Sequence, residues 1–154
     1  MGPGDIESGL VFRYEAGLWT AVNPLVTPRH WHACTAYMGQ IWAIGGWRQS
    51  SVEIYDPLRD SWEQGQSFPE AMYLAHVTVF QDRVYYIGGW RTGTPNTEVF
   101  TFMGGSWQVV PGVSVEDYSR SVFPAPIVNT DVLFTPTGSS SKKNSLYSII
   151  IQYP

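Results

Sequence analysis

Short apolar runs closed by turn residues are the dominant pattern of this chain. Residues 41–44 and 83–87 are two such runs, and each ends in a pair of glycines. Residues 51–55 alternate apolar and polar positions, as a half-buried strand does. Runs of four to six residues bounded by Gly, Pro, Asn and Asp favour strands over helices. The predicted strands are 10–14, 19–22, 33–37, 41–44, 51–55, one that begins at Trp62, 75–80, 83–87, 97–102 and 107–110.

The strand pattern repeats along the chain. The tetrapeptide Gly45-Gly46-Trp47-Arg48 recurs as Gly88-Gly89-Trp90-Arg91, 43 positions later. Self-similarity at such a period indicates stacked supersecondary units. Other residues predict the same register: Trp19, Trp62 and Trp107, the aromatic residues seven positions before each (Phe12, Tyr55 and Phe100), and the pair Glu53 and Glu98.

The repeat predicts how the chain is divided. Residues 10–22 form half a unit, residues 29–65 and 72–110 form full units, and residues 120–152 form a degenerate last unit. In that last unit Pro136 and Thr137 stand where the glycine pair is due. Each full unit is expected to contain four short strands and no helix.

Composition agrees with an all-β fold and narrows the function. Only 14% of residues are charged, against a usual share of about 25%, and 15 glycines and 11 prolines supply turns. A net charge of −4 and the lack of a basic stripe argue against a nucleic-acid partner. The sequence has no apolar run of membrane-spanning length, no signal-peptide pattern and a single cysteine. A reduced cytosolic or nuclear setting fits these features, and of the two we expect a cytoplasmic location.

Two segments carry a recognisable pattern: residues 51–57 with Asp60-Ser61-Trp62, and Pro69 and His76 followed by residues 84–89. They resemble the kelch repeat, most closely that of the BTB–kelch (kelch-like) proteins. The resemblance covers about residues 10–135 and implies four-stranded antiparallel blades of a kelch-type β-propeller. Propellers close with about four to eight blades, so about two complete blades plus partial ones make an incomplete propeller. The chain is either a fragment or short isoform, which we favour, or it closes by assembling with another chain.

The resemblance implies a protein–protein interaction module that is not an enzyme and needs no cofactor. The module would be part of the substrate-recognition propeller of a cullin-3 ubiquitin ligase adaptor, with ubiquitination substrates as partners. The sequence shows no BTB-like helical region, so the ligase role is inherited from the resemblance. Two alternatives stay open: a kelch-propeller enzyme similar to an oxidase or epimerase, and an actin-binding kelch protein. Open blade edges also predict self-association.

Candidate binding residues lie in the loops that, by the resemblance, line the partner-binding face. Tryptophan and arginine are the residues that most often anchor interfaces. The alternative for the tryptophans is packing on the next blade, and for Arg29 and Arg120 it is burial with hydrogen bonds to loop carbonyls. The candidates are Arg48, Arg91, Trp47, Trp90, Arg29, Arg120, Tyr73 and Tyr118.

Other notable residues are expected to be structural. Paired glycines permit positive φ and close backbone packing, and Trp62 and Trp107 would fill the space between blades. The structural set is Gly45, Gly46, Gly88, Gly89, Tyr55, Phe100, Trp19, Trp62 and Trp107.

His30-Trp31-His32 suggests a metal site at first sight. A zinc site needs three or four ligands, and the only other histidine, His76, lies in the next unit. Cys34 on the same strand is too close to the two histidines to complete a site around one ion. We therefore expect no metal site, structural histidines, and a Cys34 that packs as a small core residue. No catalytic residue is predicted.

Overall fold

In a computed structural model of the chain, residues 7–115, 127–129 and 132–134 are described, and all their regular elements are strands. The strands are β1 (Val11–Glu15), β2 (Leu18–Val22), β3 (Ala33–Tyr37), β4 (Gln40–Ile44), β5 (Val52–Asp56), β6 (Ser61–Gln64), β7 (Met72–Tyr73), β8 (His76–Phe80), β9 (Arg83–Ile87), β10 (Trp90–Arg91), β11 (Thr94–Pro95), β12 (Glu98–Met103), β13 (Ser106–Ser114), β14 (Ile127–Asn129) and β15 (Val132–Phe134).

Two antiparallel four-stranded sheets form the centre of the fold. The first sheet has the order β3-β4-β5-β6 and the second has the order β8-β9-β12-β13. Strands β1 and β2 pair only with each other, as do β14 and β15, and β11, β10 and β7 form a small three-stranded sheet in that order. The described chain therefore contains two complete four-stranded units, a two-stranded one before them and a two-stranded one after. The predicted unit boundaries, 10–22, 29–65, 72–110 and 120–152, stay a prediction.

The residues that occupy equivalent positions in the two sheets are not the ones that the sequence spacing predicted. Tyr55 lies opposite Trp62, whereas Phe102, not Phe100, lies opposite Trp107. The hairpin at residues 57–60 is longer than the two-glycine turn at 104–105, so the aromatic partner stands at a different spacing from each tryptophan.

The match of Glu53 with Glu98 is wrong for a related reason. The Gly45 amide bonds the carbonyl of Ser51, and the Gly88 amide bonds the carbonyl of Glu98. Glu98 therefore occupies the position of Ser51. The position of Glu53, opposite Ala43, is filled in the second sheet by Phe100, opposite Tyr86. The longer loop after the second glycine pair accounts for this shift.

The hydrophobic core lies between the two sheets. One buried cluster contains Trp42, Ile44 and Val52 of the first sheet together with Tyr86 and Phe100 of the second. The linker between the sheets contributes Phe68, whose ring stacks on Trp107 with centroids 4.4 Å apart. Aromatic rings of this size bury large apolar areas, so this cluster holds the two sheets together.

Cys34 is not a core residue. It lies on β3, the first strand of its sheet, and its side chain is exposed to solvent. The neighbouring protein atoms nevertheless desolvate the thiol and raise its pKa. The prediction failed because alternation along a strand does not tell which of its two faces a neighbouring sheet covers.

Within residues 7–115, 127–129 and 132–134, no helix is long and apolar enough to cross a membrane.

Candidate functional site

The candidate site lies at the end of the first sheet where β3 begins and β4 ends. Gly45 and Gly46 follow β4 with φ values of +66° and +128°. This backbone turns the chain so that the Gly46 amide donates to the carbonyl of Met72 at 2.8 Å, in the second unit. The amide of Trp47 donates to the carbonyl of His30 at 3.0 Å. A Cβ atom on Gly45 would overlap the Met72 carbonyl, so only glycine fits here.

Three rings from three segments meet beside this turn, and we call Trp31, Trp47 and Tyr73 the aromatic cluster. The Trp31 centroid lies 5.4 Å from that of Trp47 and 6.1 Å from that of Tyr73, and Trp47 lies 4.9 Å from Tyr73. Tyr73 is buried, Trp47 is half-buried and Trp31 is 39% exposed. Solvent exposure within the cluster therefore increases from Tyr73 through Trp47 to Trp31.

Arg48 covers one side of this cluster. Its guanidinium carbon lies 5.6 Å from the centroid of the Trp47 ring, within the range of a cation–π contact. Its backbone has φ of +58°, and its side chain is exposed. Among the described residues no carboxylate forms an ion pair with it. Arg48 is thus a solvated cation held against an aromatic face.

Arg29 has a different environment. Its side chain is fully buried and donates from all three nitrogens: to the carbonyls of Thr27, Gly45 and Ser51, to the Ser51 hydroxyl and to the carboxylate of Glu53. All five N–H groups of the guanidinium are used. The alternative considered for Arg29, a buried arginine that bonds loop carbonyls, describes this geometry, and no donor remains for a partner.

Arg91 occupies the second copy of the repeated tetrapeptide but is ion-paired. Its Nη1 lies 2.6 Å from Glu98 and its Nε lies 3.1 Å from Glu70. Trp90 lies in β10, which pairs with β7 so that Trp90 is opposite Tyr73. The two copies of the tetrapeptide are therefore not equivalent: the first presents an exposed arginine and the second a neutralised one. Arg120 and Tyr118 lie outside the described residues.

Trp31 is the site residue that the sequence analysis missed. It was considered only as the spacer of two histidines. Its φ of +57° departs from an extended strand, and Leu74, 43 positions later, has φ of +54°. The amide of Leu74 donates to the carbonyl of Trp31 at 2.9 Å, which joins the two units beside the cluster. The spacing of 43 positions between Trp31 and Leu74 equals the repeat period, and this could have drawn attention to Trp31. Its contact with Trp47, however, depends on backbone geometry that no local sequence pattern encodes.

The two histidines beside Trp31 do not combine into a metal site. The ring of His30 packs edge-on against Trp31, and its Nδ1 lies 3.7 Å from a carboxylate oxygen of Glu7. Burial lowers the pKa of His32, and the nearby charge of Arg29 lowers it further. In the part of the chain that the structure describes, no group of three or more His, Cys, Asp or Glu residues could hold a metal ion.

Comparison with known proteins bears on the fold of the chain. The family model of the Kelch motif matches residues 28–69. Kelch-like protein 35 of Homo sapiens is 35% identical over 101 residues, which cover 62% of this chain and 17% of that protein. Kelch-like protein 23 of Homo sapiens is 29% identical over 83 residues, covering 51% of this chain and 15% of that protein. The chain therefore spans only about a sixth of these curated relatives.

A solved structure, that of YjhT, matches the fold with a TM-score of 0.68 at 15% sequence identity. The match covers 83% of this chain and 52% of YjhT. At this identity the match shows the fold alone. Together with the two four-stranded antiparallel sheets, it identifies them as blades of an incomplete β-propeller, and the chain is a kelch-repeat protein related to the kelch-like proteins.

Proposed function

We propose that this chain is a protein–protein interaction module and that the aromatic cluster with Arg48 is its binding surface. The observation that carries the proposal is the exposed guanidinium of Arg48, held against Trp47 without a carboxylate partner in the described chain. Arginine and tryptophan side chains of this kind dominate binding energy when a partner excludes water from them.

The chemistry of the surface defines the partner segment. A carboxylate can accept two parallel hydrogen bonds from the Arg48 guanidinium. An apolar or aromatic side chain beside that carboxylate would cover the exposed part of Trp31, which lies next to Trp47. We therefore expect a partner segment that places an acidic residue next to an apolar one. Tyr73 packs against the two tryptophans. It would make little direct contact with the partner, because its side chain is buried.

The remaining candidates take secondary roles in this proposal. Arg91 and Trp90 lie beside the second glycine pair, and Glu70 and Glu98 reduce the attraction of Arg91 for an acidic partner. Arg29 orders the loop below the surface and does not touch the partner. Arg120 and Tyr118 remain predicted contacts from the sequence.

As a finer proposal, the module recognises substrates for a cullin-3 ubiquitin ligase adaptor in the cytoplasm. Its support is the sequence relationship to kelch-like proteins 35 and 23, together with the exposed Arg48 beside Trp47 on a propeller blade. The alternatives, a propeller enzyme or an actin-binding protein, have no specific geometric support in the described residues.

The surface is tested by quantitative affinity capture with wild-type chain, Arg48→Glu and Trp31→Ala. The control is Arg59→Glu, which reverses the charge of an exposed arginine in the turn between β5 and β6. We expect a shared set of proteins to bind wild type and the control but not the two surface variants. Partners retained by both surface variants would exclude this surface.

The ligase proposal has a separate readout. Proteins lost from the Arg48→Glu capture should accumulate in cells when cullin neddylation is blocked. If they bind through this surface but their abundance does not respond, the interaction module stands and the adaptor role is wrong.

A further inference from the structure

The backbone around the candidate site forms one ladder of four rows. The loop that holds Arg48 is the first row and bonds β7. The Gly46 amide donates to the Met72 carbonyl at 2.8 Å, and the Met72 amide donates to the Gln49 carbonyl at 3.3 Å. On its other side β7 pairs with β10, which places Met72 opposite Arg91, and β10 pairs with β11. Arg48 therefore belongs to the first row and Arg91 to the third.

The spacing of the rows sets the distance between these two arginines. Neighbouring strands lie about 4.8 Å apart, so the backbones of the first and third rows are separated by about 10 Å. An extended peptide advances about 3.3 Å per residue. A partner segment that crosses the rows would therefore reach from Arg48 to Arg91 in about three residues.

Arg91 belongs to a group in which negative charge exceeds positive charge. Its Nε lies 3.1 Å from Glu70 and its Nη1 lies 2.6 Å from Glu98, so two carboxylates share one guanidinium. All three side chains are between 37% and 43% exposed. We call Glu70, Arg91 and Glu98 the charged triad. Because the charge of one carboxylate is left over, the charged triad attracts a cation.

The Glu70 carboxylate is fixed before any partner arrives. The Thr92 hydroxyl donates to its Oε2, while Arg91 contacts its Oε1. Thr92 has a φ of +49°, which is unusual for a β-branched residue, and it stands with Gly93 at the tip of the hairpin of β10 and β11. A carboxylate held by two donors loses little freedom on binding, so a cation would meet a preformed partner.

Arg48 carries the opposite charge on the other side of the aromatic cluster. Its guanidinium lies against Trp47, and no carboxylate among the described residues forms an ion pair with it. Tyr73 stands in the row between the two charges, opposite Trp90, and Trp31 stacks on its ring with centroids 6.1 Å apart. The surface therefore offers a positive charge, an exposed indole and a negative charge in this order.

We infer that this surface recognises an extended segment of a protein partner in which an acidic and a basic residue stand about three positions apart, with an apolar residue between them. This inference rests on the proposed function and adds the basic residue to it. The acidic residue binds Arg48, the apolar side chain covers Trp31, and the lysine or arginine binds the charged triad. Opposite charges at two points fix the register of the segment and disfavour a segment with acidic residues at both points.

Selection from a phage-displayed library of random short peptides tests the basic position. The bait is the purified 154-residue chain, and the selection is repeated with Glu70→Gln/Glu98→Gln. The control is Glu15→Gln/Glu63→Gln, which removes the same amount of charge at exposed positions of β1 and β6. We expect wild type and the control to enrich peptides that carry both charges at this spacing. The Glu70→Gln/Glu98→Gln variant should enrich the acidic residue without the basic one.

The affinity of one selected peptide measures the coupling. Its dissociation constant is determined by fluorescence anisotropy with the basic residue present and with glutamine in its place. Glu70→Gln/Glu98→Gln should weaken the basic peptide by about fivefold and change the glutamine peptide by less than about twofold, as expected for half-exposed ion pairs. Retained binding of the glutamine peptide also shows that the variant is folded.

Two results separate the inference from the proposed function. Enrichment of acidic and apolar residues without a basic position, or equal weakening of both peptides, would overturn the inference and leave the surface at Arg48 in place. Selected peptides that bind Arg48→Glu as tightly as wild type would exclude the surface itself and the inference with it.

Discussion

Arg29 and Glu53 form a buried ion pair at positions that the second blade fills with Met72 and Phe100. Arg29 and Met72 each lie 16 residues before the first glycine of their pair, and Glu53 and Phe100 share one place in the sheet register. The two side chains of the ion pair are at most 1% exposed. Glu53 also accepts the amides of Val26 and Thr27 at 2.7 and 3.0 Å. The pair therefore fixes the loop below the binding surface, and the second blade achieves burial with apolar side chains.

Removing one member of this pair should be costly. Arg29→Met leaves the Glu53 carboxylate buried without its cation, and we expect a loss of about 3–5 kcal/mol in the free energy of unfolding. Urea unfolding followed by tryptophan fluorescence measures it. The matched control is Arg13→Met, which removes an exposed pair with Glu15 and should cost at most about 1 kcal/mol.

The apolar side chains at the equivalent positions of the second blade suggest a double variant that replaces both members of the ion pair. Arg29→Met with Glu53→Phe should be less destabilised than the sum of the two single variants, by about 0.5–3 kcal/mol. Equal losses for Arg29→Met and Arg13→Met would show that the buried pair does not hold the loop.

Gly45 should tolerate no side chain. Gly45→Ala places a Cβ atom against the carbonyl of Met72, so we expect the soluble folded fraction or the melting temperature to fall sharply. Gly104→Ala is the control: its φ of +61° is close to the +66° of Gly45, but nothing lies within 4 Å of the added atom. Strain at positive φ alone costs about 1–2 kcal/mol. Similar melting temperatures for the two variants would mean that the inter-blade contact at Gly45 is not close.

Trp107 should contribute more through packing than through its hydrogen bond. Trp107→Ala removes contacts with Phe68 and Phe102 and should cost about 3–5 kcal/mol. Trp107→Phe keeps an aromatic ring but loses the donor to Gln66, whose carbonyl can bond water instead. We expect a smaller loss for it, and urea unfolding compares the two. A phenylalanine variant as unstable as the alanine variant would contradict this division.

Stability should fall on mild acidification because of two half-buried histidines. Burial, and then the charge of Arg29, lowers the pKa of folded His32 below the ordinary 6.5, and burial lowers that of His76. The unfolded chain therefore binds protons at a higher pH than the folded chain. Stability is complete above about pH 6.5 and decreases as the pH falls toward the folded pKa. Melting temperatures from about pH 8 to about pH 5 measure this, and His32→Gln should flatten the decrease. An increase in the melting temperature on acidification would mean that folding does not lower the pKa values of these histidines.

The sequence was informative about strands and much less so about register. Local alternation and the glycine pairs predicted the eight strands of the two complete blades, because strand pattern and turn chemistry are local properties. The match of Glu53 with Glu98 failed because two loops changed length between the repeats, by different amounts. Counting along the sequence cannot separate such shifts, whereas backbone hydrogen bonds can.

The candidate site was predicted in part for a similar reason. Trp47, Arg48 and Tyr73 were named from their loops, and the structure brings them together with Trp31. The sequence could not distinguish Arg48 from Arg29 or Arg91, since only three-dimensional contacts reveal which guanidinium is already bonded.

The aromatic cluster belongs to neither repeat by itself, because Trp31 and Trp47 come from the first unit and Tyr73 from the second. A partner bound there would bind more weakly to chains whose blades have separated, because Tyr73 would no longer pack against the two tryptophans. Binding and blade association are therefore thermodynamically linked, and a saturating ligand raises the stability of the whole array by mass action. A single isolated first repeat would keep Trp31, Trp47 and Arg48 but lose the ring of Tyr73 that packs against both tryptophans.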